Sequence, residues 1–176
     1  FGIGKNAAFA VSLFRTVFYS TLYLDAGAKS FLAQGKAILV SHSDRNRVEK
    51  RGVGYWGNAD FKAVADTSAL PQWLRRQETG TTVASLGFLH EDAWEWQMTE
   101  SLVRNFFAAI LEGTVSFRVE VESGESIEIT RDTLPSLFEN PAVLKAAEDT
   151  GSSADLSFAF ALYRALVSPD TRTFEE

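Results

Sequence analysis

The segment Thr16-Val17-Phe18-Tyr19-Ser20-Thr21-Leu22-Tyr23-Leu24 carries apolar or aromatic residues on both faces of an extended chain. β-Branched and aromatic residues suit a pleated surface, and a strand that is apolar on both faces belongs in the middle of a sheet, not at its edge. Asp25-Ala26-Gly27 reads as the turn that ends it. Lys36-Ala37-Ile38-Leu39-Val40-Ser41 predicts a second buried strand, and Thr81-Thr82-Val83-Ala84-Ser85-Leu86-Gly87-Phe88 a third. A helix from about Lys5 to Leu13 precedes the first strand, and Pro71 opens a brief helix to about Arg76.

The longest helix is expected from about Asp92 to Leu111. Trp96, Val103, Phe106 and Ile110 fall on one stripe, at spacings of 7, 3 and 4. Gly113 follows as a helix-ending residue. Val115, Phe117, Val119 and Val121 alternate with polar residues, and Ser123-Gly124 turns that strand into Ser126-Ile127-Glu128-Ile129 as a hairpin. Helices follow at about 134–138, 142–148 and 154–167, and Pro169 stops the last. This order predicts an α/β (α+β) sandwich with a mixed, mostly antiparallel sheet covered by helices.

Composition narrows the function classes. A net charge of −6 and a pI near 5.0 argue against broad attraction to nucleic acid, leaving room only for a local basic patch. The absence of cysteine excludes disulfides and thiolate metal sites and fits a cytoplasmic protein. Two histidines, His42 and His90, are too few for a metal cluster. No apolar run approaches the roughly 18 residues that a membrane span needs.

The chain opens on Phe1-Gly2-Ile3-Gly4-Lys5-Asn6, a glycine-rich loop running straight into a helix. Free N–H groups and partial positive charge at a helix start suit phosphate. Glycines without Cβ atoms let a ligand approach the backbone. A P-loop is excluded because Asn6, not Ser or Thr, follows Gly4-Lys5; the bland alternative is a glycine turn before a helix. Met98 is the only methionine, and a phosphate loop ordinarily follows other structure, so the expectation is a piece of a longer protein. Taken alone, Gly80-Thr81 at the start of the third strand reads as turn chemistry.

Other motifs have structural readings. Gly52-Val53-Gly54-Tyr55-Trp56-Gly57 matches the dinucleotide glycine pattern, but charged residues precede it where an apolar strand is required; it is expected to be a tight turn with Tyr55 and Trp56 packed inward. His42 and Asp44 form a conceivable acid–base pair without a nucleophile. Arg45, Arg47, Lys50 and Arg51 read as a solvated loop, with phosphate or nucleic-acid contact as the alternative. Trp94, Trp96, Phe106 and Phe107 read as core or as a contact face for a neighbouring domain.

Taken together and in this order, Phe1-Gly2-Ile3-Gly4, the small-residue helix and the strand after it resemble the glycine lid box of the GHKL ATPases. That superfamily holds DNA gyrase, the ninety-kilodalton heat-shock chaperones, sensor histidine kinases and the MutL and MORC proteins. Gly80-Thr81-Thr82-Val83 is similar to the Gly-Thr box of the gyrase form. The resemblance covers about residues 1 to 90. It implies a Bergerat-type ATP site with magnesium: backbone N–H groups around Phe1, Gly2, Ile3 and Gly4 on the phosphates, Lys5 and Asn6 opening the helix beneath them, and Gly80 and Thr81 under the adenine, directly or through water.

The family's other two boxes are absent. No Glu or Asp of this chain has Asn four residues on, so the general base and a magnesium ligand are missing. Asp25-Ala26-Gly27-Ala28-Lys29 lacks the second glycine of the adenine-reading turn and follows the glycine box, where the family has it before. The resemblance therefore implies that these groups come from outside this chain. Residues 1–130 are expected to form the C-terminal part of an ATP-binding domain and 131–176 a helical connector toward a further domain of the same protein. A homodimer is compatible with this family. The competing reading is a non-enzymatic α/β protein-interaction module with no nucleotide site.

Overall fold

The computed structural model describes residues 4–170. The chain forms two compact units that divide between His90 and Glu91. Residues of the 117–129 hairpin share one core with the helices of the second unit.

The first unit begins with α1 (Gly4–Ala10), followed by β1 (Thr16–Asp25), β2 (Ala28–Ile38), β3 (His42–Ser43), β4 (Glu49–Lys50) and β5 (Val53–Trp56). Three 3-10 turns, Ala59–Phe61, Thr67–Ala69 and Gln72–Leu74, lead to β6 (Gly80–Ser85). The main sheet has the order β5-β2-β1-β6, and every pairing in it is antiparallel. Thus β1 is central, as its two apolar faces require. β1 and β2 pair in unbroken register from Thr16↔Ala37 to Asp25↔Ala28. Ala26 and Gly27 close them with φ of 48° and 86°, the left-handed pair that matches strand twist in a two-residue hairpin. β2 starts at Ala28, well before the expected Lys36. Its first half lacks a clean alternation, and pairing with β1, not local pattern, makes it extended.

The strand period of two sorts β1 onto two faces. Phe18, Ser20 and Leu22 face one layer, where Leu22, Phe31, Ala33, Leu70 and Leu74 form the core with Phe18 and Val64 packed on it. The 3-10 turns after Asp66 supply Leu70 and Leu74. Arg75 ties them down by donating from Nε to the Leu70 carbonyl at 2.8 Å and from Nη2 to the Ser68 carbonyl at 3.2 Å. Phe18 is wedged edge-on between Trp56 and Trp73, with ring centroids 5.5 and 5.6 Å away.

The charged segment is exposed, as expected, yet it is ordered as the small β3–β4 hairpin. Asp44 holds its turn by accepting the N–H groups of Asn46 and Val48, both at 2.9 Å. The glycine pattern at 52–57 is strand β5 with close backbone approaches, not a turn. Leu39 N–H donates to the Gly52 carbonyl at 2.5 Å, and a Cβ on Gly57 would stand 2.5 Å from the Lys62 carbonyl oxygen. Tyr55 and Trp56 both stay over a third exposed, because β5 is an edge strand, although Trp56 lays its ring against Phe18.

The second unit holds α2 (Trp94–Leu111), the hairpin β7 (Phe117–Glu120) and β8 (Ser126–Ile129), α3 (Leu134–Phe138), α4 (Pro141–Asp149) and α5 (Ser153–Val167). Its core gathers Val103, Ile110, Ile129, Leu134, Phe138 and Val143, all essentially inaccessible. Phe138 stacks on Phe160 at 4.9 Å and tilts against Tyr163 at 5.4 Å. Of the expected α2 stripe, Val103 and Ile110 are buried, but Phe106 is exposed and meets Phe117 at 5.3 Å. Thr99 and Glu100 are buried in its place. Glu100 is held by Arg104 Nε at 2.6 Å and by Ser152 Oγ at 2.9 Å. Asn140 caps α4 by accepting the Ala142 N–H at 2.8 Å. No helix among the described residues is long and apolar enough to cross a membrane.

Candidate functional site

The second face of the first unit's sheet is built by Val17, Tyr19 and Thr21 of β1, their partners Ser85, Val83 and Thr81 of β6, and Lys36, Gln34 and Leu32 of β2. Helix α1 lies on one end of this face. Ser85 Oγ donates to the Ala8 carbonyl at 2.8 Å, Phe9 is buried, and Val17 is wholly inaccessible. Lys36 Nζ sits 5.9 Å from the centre of the Phe9 ring, within range of a cation–π contact. Beyond α1 the chain is locked to the sheet by Ser12, itself inaccessible. Ser12 Oγ donates to the Leu86 carbonyl at 2.6 Å and accepts the Thr16 N–H at 3.0 Å. Helix α1 ends at Ala10, short of the expected Leu13, because this Ser12 anchor and the Leu13 N–H bond to the Gly87 carbonyl turn the chain into the sheet.

The other end of the face is open. Leu32 and Val83 are over a third exposed there, and a shallow depression of about 250 Å³ lies among Tyr19, Thr21, Leu32, Gln34, Ala63 and Thr81. Gln34 closes one side by donating from Nε2 to the Phe61 carbonyl at 2.6 Å. Asp60 and Phe61 both carry left-handed φ of 59°.

Of the expected site residues, Phe1, Gly2 and Ile3 lie outside the described residues. Gly4, Lys5 and Asn6 form the first turn of α1. Gly80 and Thr81 open β6. Because Ser85 and Thr81 are four residues apart on one strand, they point to the same face about 13 Å apart. The helix that follows the glycine box and the Gly-Thr pair thus share one sheet face, with the open depression at the Thr81 end.

Two features of the Gly-Thr turn lie beyond sequence reasoning. Gly80 has φ of 136°, a conformation open essentially to glycine alone. Thr21, across the sheet, has its Oγ1 3.0 Å from Thr81 Oγ1 and 3.1 Å from the Gly80 carbonyl. Thr21 and Thr81 are direct partners in the β1–β6 register, and only that register, not the local pattern, reveals Thr21.

The other sequence candidates do not assemble. The Asp44 carboxylate is spent on its own turn and on Lys50 at 3.5 Å, while the His42 ring rests 3.3 Å from the Val40 carbonyl. Asp66 caps the 3-10 turn that follows it. The Ser68 hydroxyl and then the Ser68 N–H donate to its carboxylate, and Arg75 adds attraction, so its pKa lies below the usual aspartate value. Among the described residues no three His, Asp or Glu side chains converge as metal ligands. No protein-family model, curated protein or solved structure matches this chain.

Proposed function

We propose that the first unit is the sheet half of an ATP-binding domain in a larger, cytoplasmic conformational ATPase of the GHKL kind. The observation that carries this reading is the shared face: α1, directly after the glycine box, and Thr81 of the Gly-Thr pair lie on one side of the sheet, and the surface at Thr81 is open. ATP would lie along that face, its adenine at Thr81 and its phosphates toward the glycine loop. The donors suit the parts of the ligand. A hydroxyl at a strand start can bond a base edge, and backbone N–H groups without neighbouring Cβ atoms can approach phosphate.

Hydrolysis would need a carboxylate to take a proton from the attacking water and a magnesium ion to neutralise the phosphates. Neither the Glu-x-x-x-Asn helix nor the Asp-x-Gly-x-Gly turn exists in these residues, so on this reading both would come from a segment outside this chain. The second unit would pass the conformational change to a further domain.

Calorimetric titration of magnesium-ATP into the full-length protein and into this 176-residue chain tests the reading. Full-length protein should bind, the isolated chain weakly or not at all, and replacing Gly2 and Gly4 with valine in the full-length protein should abolish binding. No binding by the folded full-length protein would remove the ATP site and leave a protein-interaction module.

A further inference from the structure

We infer that Thr21 sets the hydrogen-bonding polarity of the Thr81 site, which makes it a positioning residue for base selection; this rests on the ATP reading above. The argument is a proton count. A threonine hydroxyl has one proton to give and lone pairs to receive. Thr21 Oγ1 lies 3.1 Å from the Gly80 carbonyl oxygen, which can only accept, so Thr21 spends its proton there. The Thr21–Thr81 contact at 3.0 Å must then be made with the proton of Thr81. Among the described residues Thr81 Oγ1 has no other hydrogen-bond partner, so both its donor capacity and the lone pair of Thr21 are used within the sheet.

What Thr81 offers to the open face is therefore acceptor only. The partner it fits is an N–H, such as the exocyclic amino group of adenine. A carbonyl oxygen at the same position, as in guanine or hypoxanthine, would face lone pair to lone pair. The arrangement is held on both sides. Thr21 sits in the central strand, and the β1–β6 register makes Thr21 and Thr81 a directly opposed pair. By counting from the Leu86 N–H bond to the Thr16 carbonyl, this pair falls at a non-hydrogen-bonded position, where facing side chains come closest. The hydroxyl of Thr81 cannot rotate its proton outward without breaking its bond to Thr21.

The experiment measures the affinity of the full-length protein for ATP and for inosine triphosphate, which has oxygen in place of the amino group. Thr21→Val keeps the shape and removes the proton trap, so Thr81 can donate as well as accept. The ATP preference should fall by about threefold to tenfold, the worth of one neutral hydrogen bond. Thr21→Ser should keep the wild-type ratio. Thr81→Ala should lose the preference too, and the double variant should lose no more than Thr81→Ala alone, because Thr21 acts only through Thr81. An unchanged ratio in Thr21→Val, or additive losses in the double variant, would overturn the proposal; a water between Thr81 and the base would give that first result. If Thr21→Val does not fold, Thr21→Ala against Thr21→Ser makes the same comparison. Failure of the wild-type protein to bind ATP would instead defeat the ATP reading, and this inference with it.

Discussion

Arg76 spans the Gly80 turn: its Nη1 donates to Thr82 Oγ1 at 2.5 Å and its Nε to the Glu78 carbonyl at 3.3 Å. The guanidinium lies where a side chain on Gly80 would go, since a Cβ there would stand 2.8 Å from Arg76 Nη2. Gly80→Ala meets both this clash and the forbidden φ, and should destabilise the first unit by about 1–3 kcal/mol. Arg76→Ala alone should cost about 1 kcal/mol for its hydrogen bonds. Urea unfolding of the two single variants and the double variant checks this. In the double variant the loss should be less than the sum, because removing Arg76 makes room for the methyl.

Gly35 is fixed by packing, not by its backbone angles. A Cβ there would lie 2.7 Å from the Phe18 ring and 3.1 Å from Trp56 Cβ. Phe18 cannot retreat, because Trp56 and Trp73 hold its ring from two sides. Gly35→Ala should cost about 1–3 kcal/mol as an overpacked core. Tryptophan emission should shift as Trp56 and Trp73 are displaced, whereas Gly54→Ala, with only Ala37 Cβ at 4.0 Å, should leave it unchanged.

In the second unit, the Glu100–Arg104 pair should respond unequally to the loss of either partner. Glu100 is 2% exposed, while Arg104 keeps 24% of its side chain in water. Arg104→Ala strands a buried carboxylate with only Ser152 as donor, and should cost about 3 kcal/mol. Glu100→Gln keeps an acceptor for Ser152 and leaves Arg104 access to solvent, and should cost about 1–2 kcal/mol. Thermal unfolding of both variants at neutral pH decides the order.

Asp66 supplies a pH dependence with a defined sign. Its folded pKa is lowered, by the Ser68 hydroxyl first. Its contribution is therefore fully present above the unfolded value, about 3.9, and is lost as pH falls through the lower folded value. Asp66→Ala should be less stable than wild type at neutral pH, and the gap should close in acid below that folded value. A gap that widens in acid would refute the assignment. Proton NMR of the Ser68 amide would follow the same titration.

The order and type of most elements were legible from local signals. The alternation of 115–121, the Ser123-Gly124 turn and the apolar spacing of the later helices all appear close to where they were expected. What was not legible depended on partners distant in sequence. Ala28–Gly35 is a strand because β1 pairs with it. Glu100 is buried because Arg104 and Ser152 neutralise and bond it, which periodicity counts as a polar interruption. Of the candidate site, Gly80 and Thr81 were singled out by their motif alone, and their common face with α1 needed the sheet register. Thr21 carried no motif at all.

Sixty residues separate Thr21 from Thr81, whereas β1 meets β2 through a two-residue turn. Contacts between neighbours in sequence close at little entropic cost, and a loop of this longer size costs about 3–4 kcal/mol to close. The β1–β2 hairpin is therefore expected to form early and β6 to dock late. Substitutions at the hairpin turn should slow folding, while those at Thr81 and Val83 should mainly speed unfolding, a contrast that stopped-flow kinetics would read directly. The paired hydroxyls would then be among the last parts of the sheet to assemble. A ligand seated there would act on the final closing step: it would bind only the completed sheet, and would slow the unfolding of that sheet more than it hastens its formation.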